Sequence, residues 1–237
     1  MLSIIIPAYN EQGNIPRIDT ELTPVLDSLN QSYEILIIND GSNDKTEQEA
    51  RELKNKNVIL INHPKNRGLG YAVRTGIKQA KGDKIITYEA DFTWAPHYIT
   101  QLLETQEKED ADCVIGSHFH KQGKLEGHSN FTPRIFMSKT VNKMYQLLLG
   151  KKIYSTSSLF RAYKSRHLKK LNLTSNGFSI NAEILAKLAL NKKKITEVPV
   201  ILTKRIYGKS KISIPKAVLN HLSILSKTFY WRFFSGK

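Results

Sequence analysis

Residues 85–94 read Ile-Ile-Thr-Tyr-Glu-Ala-Asp-Phe-Thr-Trp. The mostly apolar run 85–88 predicts a short buried strand, and it leads straight into two acids spaced i, i+2, Glu89 and Asp91. Ligands of open α/β sheets collect outside the carboxyl ends of the strands, and a pair of carboxylates there suits a hard divalent cation carrying a phosphorylated ligand. A strand followed by a solvated acidic turn has the same local pattern. The rest of the chain has to decide between the two.

Working outward, apolar runs at 2–6, 33–38, 58–61 and 113–116 predict four more strands, of which 33–38 is nearly all apolar as a strand buried on both faces should be. Between them the spacing predicts helices over 15–29, 45–54, 69–80 and 96–107. In the first of these Asn14 is placed as N-cap, Pro16 lies in the first turn and Pro24 is a point where the helix kinks or splits. Alternating strands and helices with short connections predict an α/β fold with a parallel, doubly wound sheet. After Gly116 the rhythm breaks. Residues 117–133 read as a polar connection, 134–149 as a helix, 159–163 as a strand, 181–190 as a helix and 195–203 as a strand.

From residue 215 Val218, Leu222, Leu225 and Phe229 lie on one helical stripe that ends in Phe229-Tyr230-Trp231-Arg232-Phe233-Phe234. A bilayer-spanning helix needs about 20 predominantly apolar residues, whereas Asn220, His221, Lys227 and Arg232 interrupt this one. It fits an amphipathic helix lying in a membrane interface, a final helix packed on the core, or both at once.

With 237 residues, 40% of them apolar and 24% charged, the chain is ordinary globular material of one large domain with an appendage. The single cysteine, Cys113, allows no internal disulfide, and the first residues lack the basic and long apolar regions of a signal peptide. A cytoplasmic protein is expected. The net charge of +15 is unevenly spread: residues 1–118 hold 12 Lys/Arg against 18 Asp/Glu, and residues 119–237 hold 24 against 3. Such asymmetry points to an anionic partner met by the second half, whether nucleic acid, an anionic membrane surface or a phosphorylated substrate, or else to a solubilising basic face. A nucleic-acid reading gives Glu89 and Asp91 nothing to do, so nucleic acid is not the expected partner. His118 and His120 lack the further ligand a metal site needs, and Asn66-Arg67-Gly68-Leu69-Gly70 lacks the Lys-Ser/Thr of a P-loop.

Three strand ends fall on one edge of the predicted sheet: Pro7-Ala8-Tyr9-Asn10-Glu11, Asn39-Asp40-Gly41-Ser42 and Glu89-Ala90-Asp91. In this order they resemble the P-x-Y-N-E, D-D-G-S and D-x-D motifs of family 2 glycosyltransferases with the GT-A fold. Asn66-Arg67-Gly68-Leu69-Gly70 with Arg74-Thr75-Gly76, Gly116-Ser117, Phe160-Arg161, Gly177-Phe178 with Glu183, and Arg205-Ile206-Tyr207-Gly208-Lys209-Ser210-Lys211 are similar to motifs of one subgroup. These are the polyprenyl (dolichol) phosphate mannosyltransferases and their glucosyl relatives, and the likeness covers about residues 2–225.

The resemblance implies a GT-A (Rossmann-like), mostly parallel sheet flanked by helices, with a C-terminal amphipathic helix. It divides the chain into a catalytic domain, 1–211, with a donor half, 1–116, and an acceptor half, 117–211, followed by a membrane-surface segment, 212–237. It implies transfer of a hexose, mannose favoured, from a nucleoside diphosphate sugar, GDP-mannose favoured, to a polyprenyl or dolichyl phosphate. Glucosyl or GlcNAc transfer from a UDP-sugar and transfer to a soluble glycan stay open. The enzyme would be inverting and peripheral on the membrane. Pro7, Tyr9, Glu11, Asp40, Ser42, Arg67, Glu89 and Asp91 would bind the donor, with Mg²⁺ or Mn²⁺ on Asp91 and Glu89. His118, Arg134, Ser138, Arg205 and Lys211 would meet the acceptor phosphate, and Asp91, Arg134, Arg205 and Lys211 would be catalytic. A phosphate monoester, whose second pKa is about 6, attacks without a general base, so none is expected. The chain departs from the pattern at Glu89 (first acid of D-x-D), Asn39 (first acid of D-D-G-S), Thr93 (glutamine), His118 (arginine), and Ser155 and Leu159 (aspartate and glycine).

Overall fold

The computed structural model describes residues 1–126, 133–208 and 214–234, without the side chains of 133–134 and 214–217. In chain order β1 (Leu2–Ala8) is followed by α1 (Thr23–Asp27), β2 (Tyr33–Asn39), α2 (Thr46–Arg51), β3 (Val58–Asn62), α3 (Leu69–Gln79), β4 (Lys84–Thr87), α4 (Tyr98–Lys108) and β5 (Cys113–Ser117). The second half adds β6 (Lys124–Leu125), α5 (Pro133–Leu149), β7 (Arg161–Lys164), α6 (Ser165–Leu168), α7 (Ile180–Leu190), β8 (Ile195–Pro199), β9 (Ile201–Leu202) and α8 (Ile214–Phe233).

Seven strands form one sheet in the order β3-β2-β1-β4-β7-β5-β8. Burial on both faces explains the continuous apolar runs of β1, β2 and β5, whereas β3, at the sheet edge, is only partly buried, with Ile59 39% exposed. Leu2, Ile4 and Ile6 of β1 share a cluster with Ile18, Leu22 and Leu26 of the first helical segment and with Ile99 and Leu102 of α4. Ile5 points the other way, to Ala72, Val73 and Ile77 of α3 and Ile184 of α7. The α/β sheet therefore sits between two helical layers. Gly76 lets α3 lie directly on β1, since a Cβ there would fall 2.3 Å from Ile5 Cγ2.

The sheet is parallel except at β7, which runs antiparallel to both β4 and β5. Because of that reversal the chain enters β7 at the edge where β1, β2, β4, β5 and β8 end, so residues 155–160 arrive at the same edge as the motif-bearing strand ends. A strictly parallel sheet would have placed them at the opposite edge. The expected strand 195–203 breaks at Val200 into β8, in the main sheet, and β9, which pairs with β6 in a small second sheet. The polar connection 117–133 therefore contains a strand that its composition did not reveal. The expected helix 15–29 is also divided: a π-helical turn, Ile18–Leu22, precedes α1, with Pro24 in the first turn of α1. Asn14 does not cap a helix; its Nδ2 donates to Glu11 Oε2 at 2.8 Å.

Of the stripe Val218, Leu222, Leu225 and Phe229, only Leu225 is buried, 8% exposed. Ile224 and Leu225 pack with Tyr145 and Ala182. Leu222 and Phe229 are exposed. The core-packing role of α8 is thus real but turned by about one residue from the expected stripe.

Several motif residues hold the fold together. Glu183 is fully buried and accepts the backbone N–H groups of Thr174 and Ser175 and the ammonium of Lys187. The loop it fixes is gripped from α3: Gly70 N donates to Asn176 O at 2.7 Å, and Arg74 donates to Ser175 O and to Asn176 Oδ1. A Cβ on Gly70 would lie 2.3 Å from Ser175 O. Burial alone would raise the Glu183 pKa, but the Lys187 ammonium and the loop donors outweigh it and leave the pKa lowered. Glu183→Gln is expected to cost about 1–3 kcal/mol at neutral pH. A carboxyl that titrates lower in the folded state stabilises above its unfolded pKa of about 4.3. The difference between wild type and E183Q should therefore shrink as the pH falls through the lower folded value, which urea unfolding near neutrality and near pH 3 would measure.

Candidate active site

The carboxyl edge of the sheet opens into a cavity of about 720 Å³. Pro7, Tyr9 and Glu11 reach it from the end of β1, Asp40 from the end of β2, and Glu89 and Asp91 from the turn after β4. The parallel register of β1 with β2 and β4 puts these ends side by side. From the second half come His118, Ser138 of α5, residues 156–159, and Arg205. Nine of the expected residues therefore share one cavity. Ser42 and Arg67 are not in its lining and act on its frame. The Arg134 side chain and Lys211 lie outside the described residues.

The β4 turn is tightly built. Phe92 adopts a left-handed φ of 54°, uncommon for a large side chain. Its ring stands under the Arg17 guanidinium, 4.5 Å from Cζ to centroid, and meets Tyr88 edge-on. Arg17 also donates to the Asp91 carbonyl at 3.2 Å. Thr93 is the hinge between the two acids: its hydroxyl lies 2.9 Å from Asp91 Oδ1 and 3.1 Å from Glu89 Oε2, and its N–H donates to Asp91 Oδ1 at 3.1 Å. Trp94 Nε1 donates to Glu89 Oε2 at 2.9 Å. Burial, then the Asp91 charge, pushes the Glu89 pKa up to about 7 against the pull of these donors. Asp91 Oδ2 is paired with Arg205 Nη2, and Arg205 Nη1 lies 3.4 Å from Glu11 Oε1.

Asp40 organises the neighbouring loop. Its oxygens accept His63 Nδ1 at 2.7 Å, Gly68 N at 2.7 Å and Arg67 N at 3.1 Å. A carboxylate only accepts, so this pairing places the proton of His63 on Nδ1, with Nε2 at 3.0 Å from Thr75 Oγ1. Arg67 serves the site through its backbone while its guanidinium stacks on Tyr71, 3.5 Å from the ring centroid. Ser42 Oγ accepts Asn10 N–H at 2.9 Å and so ties the β1 loop to the β2 loop.

On the other wall, Arg161 is completely buried and donates to the carbonyls of Asn181 and Thr156 at 2.8 and 2.7 Å. Glu197 of β8 accepts the N–H groups of Tyr154 and Ser155, at 2.9 and 2.8 Å. The Asn142 amide oxygen of α5 accepts the Thr156 hydroxyl at 2.6 Å. Residues 154–156 are thus strapped from three directions. The Phe160-Arg161 motif signalled this position without its role. Asn14, Arg17 and Trp94 carried no sequence signal, because an Asn or Arg near a turn and a Trp after an acid read as ordinary cap, surface and core residues.

Among the described residues no group of three or more His, Cys, Asp or Glu side chains is placed to hold a metal. Two neighbouring carboxylates, one of them already met by a guanidinium, are too few for an all-protein cage. They fit Mg²⁺ or a similar hard cation that keeps water and substrate phosphate oxygens as its other ligands.

A mostly parallel sheet between helical layers, with acids gathered at its carboxyl edge, is the GT-A glycosyltransferase arrangement. Residues 3–171 match the glycosyl transferase family 2 model, and the chain belongs to that family. A dolichol-phosphate mannosyltransferase of Pyrococcus furiosus is 33% identical over 233 residues, which is 97% of this chain and 64% of that protein. The chain thus spans less than two thirds of that relative's length. Glucosyl-3-phosphoglycerate synthase of Mycobacterium tuberculosis, in complex with Mn²⁺, UDP and phosphoglyceric acid, superposes with a TM-score of 0.71 at 17% identity, covering 100% of this chain and 80% of that one. Its complex with Mn²⁺ and UDP-glucose gives 0.71 over 98% and 78%.

Thr93→Val keeps the shape of the hinge and removes the hydroxyl shared by the two acids. It is expected to weaken Mn²⁺ binding in the presence of a nucleoside diphosphate by about tenfold, measured by calorimetry, with an unchanged far-ultraviolet spectrum.

Proposed function

We propose that this glycosyltransferase moves a hexosyl group, mannosyl in preference, from a nucleoside diphosphate sugar, GDP-mannose in preference, to the phosphate of a polyprenol or dolichol. The observation that carries this reading is the lining of the cavity. Besides Glu89 and Asp91, its lining takes in Ile135, Met137, Ser138 and Val141 of α5 and Val218 and His221 of α8, so a phosphate held near the acids has apolar helix surface beside it for a long chain. The identity to the Pyrococcus furiosus protein along nearly the whole of this chain supports the same acceptor.

In this reading residues 1–116 bind the donor and 117–211 the acceptor. Pro7, Tyr9 and Glu11 receive the nucleoside, with Asp40, Ser42 and Arg67 holding the loops around it. Asp91 and Glu89 would hold Mg²⁺ or Mn²⁺, which when bound supplies positive charge to the departing diphosphate. Arg134, Arg205 and Lys211, with Ser138 and His118, would counter the charge of the acceptor phosphate, since two anions must approach each other. An acceptor oxygen attacks the anomeric carbon opposite the diphosphate. The new C–O bond forms as the old one breaks, the configuration inverts, and the diphosphate leaves with the bonding pair. An ionised phosphate has no proton to give up, so no side chain acts as base.

The outer surface of α5 and α8 suits an anionic membrane. Phe136 and Leu147 of α5 are 73% and 75% exposed, and Leu219, Tyr230 and Phe233 of α8 are 66%, 58% and 58% exposed. No Asp or Glu occurs between Glu126 and Glu183 or after Glu197. Exposed aromatics among cations, without acids, fit the headgroup layer. Among the described residues no helix is long and apolar enough to cross a membrane; the contact we propose is a peripheral one, on the cytoplasmic face.

The purified protein with Mg²⁺ or Mn²⁺ and a short polyprenyl phosphate is expected to convert GDP-mannose into lipid-extractable mannose faster than it uses UDP-glucose or UDP-GlcNAc. Absence of lipid product with every donor would refute the reading. Replacing Phe229 and Phe233 with Ser should weaken co-flotation with vesicles containing anionic phospholipid, and raised salt should weaken it for wild type as well; partitioning that ignores both changes would remove the membrane surface.

A further inference from the structure

Thr203, Arg205 and Gly208 of the segment 203–208 line the cavity, and the segment is held at Thr203, Arg205 and Tyr207. Thr203 donates its N–H and its hydroxyl to the Thr93 carbonyl, at 3.0 and 3.1 Å. Arg205 bridges Glu11, from the end of β1, and Asp91, from the turn after β4. Tyr207 lays its ring over Gly13, where a Cβ would stand 3.2 Å from the ring.

The two oxygens of Asp91 are unlike. Oδ1 accepts the N–H and hydroxyl of Thr93, which belong to the turn itself and stay with it. Oδ2 faces the guanidinium of Arg205, which belongs to the segment 203–208. A divalent cation needs an oxygen that points outward, and two cations cannot occupy the same lone pairs at contact distance without strong repulsion.

We infer that Arg205 is the resident counter-ion of the cation site: an arriving divalent ion competes with it for Asp91 Oδ2, and this competition frees the segment 203–208 from the acids. The inference rests on the reading of Asp91 as a cation ligand. Binding then has an order. Without the cation the guanidinium offsets part of the charge of Glu11 and Asp91 and holds the segment against them. With cation and nucleotide in place those charges are met, and Arg205 turns to the phosphates. One arginine thereby serves as counter-ion before the donor binds and as phosphate ligand afterwards.

Mn²⁺ binding followed by electron paramagnetic resonance, with and without GDP, on wild type, Arg205→Gln, Tyr207→Ala and Asp91→Asn tests this. Without GDP, Arg205→Gln is expected to bind Mn²⁺ about fivefold to tenfold more tightly than wild type, the range set by removing one partly buried ion pair, and GDP should shrink or reverse that gain. Tyr207→Ala keeps the charge and removes an anchor, and should fall between the two. Mn²⁺ should also speed tryptic cleavage after Lys204 or Arg205 in wild type. Equal or weaker binding in Arg205→Gln without GDP, with binding still lost in Asp91→Asn, overturns the counter-ion role and leaves the cation site standing. Mn²⁺ binding that is indifferent to Asp91→Asn overturns both.

Discussion

Mutual repulsion of carboxylates is the constraint on which this structure turns. Glu11, Asp40, Glu89 and Asp91 are brought to one edge of one sheet, where carboxylates at such spacing disfavour one another's ionisation unless they are compensated. Each is answered differently. Asp40 gathers His63 and two backbone N–H groups, and in doing so folds the loop 63–68. Glu89 and Asp91 share Thr93, with Trp94 on one side and Arg205 on the other. Glu11 takes Asn14. The loops around the site are therefore products of its charges, and the residues that look like ligand contacts in sequence also hold the cavity open.

This dual use explains what the sequence could and could not disclose. Apolar runs located β1, β2, β4 and β5 to within a residue or so, because strands buried on two faces leave a composition signal that needs no partner to be read. The acids were legible for the same reason: they follow those runs directly. The direction of β7 was not, since nothing in Arg161-Ala162-Tyr163-Lys164 distinguishes a strand entering the site edge from one leaving it. Nor was the pairing of β6 with β9, which joins Lys124 to Ile201 and Leu125 to Leu202 across segments far apart in the chain. Arg67 and Ser42 show a subtler limit. Their positions in the motifs are as expected, but a motif does not say whether a residue works through its side chain or its backbone.

Charge has a similar hidden structure. Only three acids, Glu126, Glu183 and Glu197, lie beyond residue 118. Glu183 is wholly buried and Glu197 is turned onto the backbone of residues 154–155, so both work as internal struts. The solvent-facing part of the second half is consequently more cationic than a count of its residues shows. Glu197 supports the wall opposite the carboxylates through residues 154–156, and Glu183 fixes the loop 174–176 that packs on Gly68 and Gly70.

That wall, held by the buried guanidinium of Arg161, separates the molecule into parts with different lifetimes. Groups donated from the sheet interior exchange their protons only when the core opens, whereas a segment held by Thr203, Arg205 and the Tyr207 ring opens more often. The cavity therefore has a fixed side and a yielding side. Turnover would then be paced by the yielding one, and thermal denaturation by the fixed one, so that the temperature at which the enzyme works best and the temperature at which it melts are set by different residues.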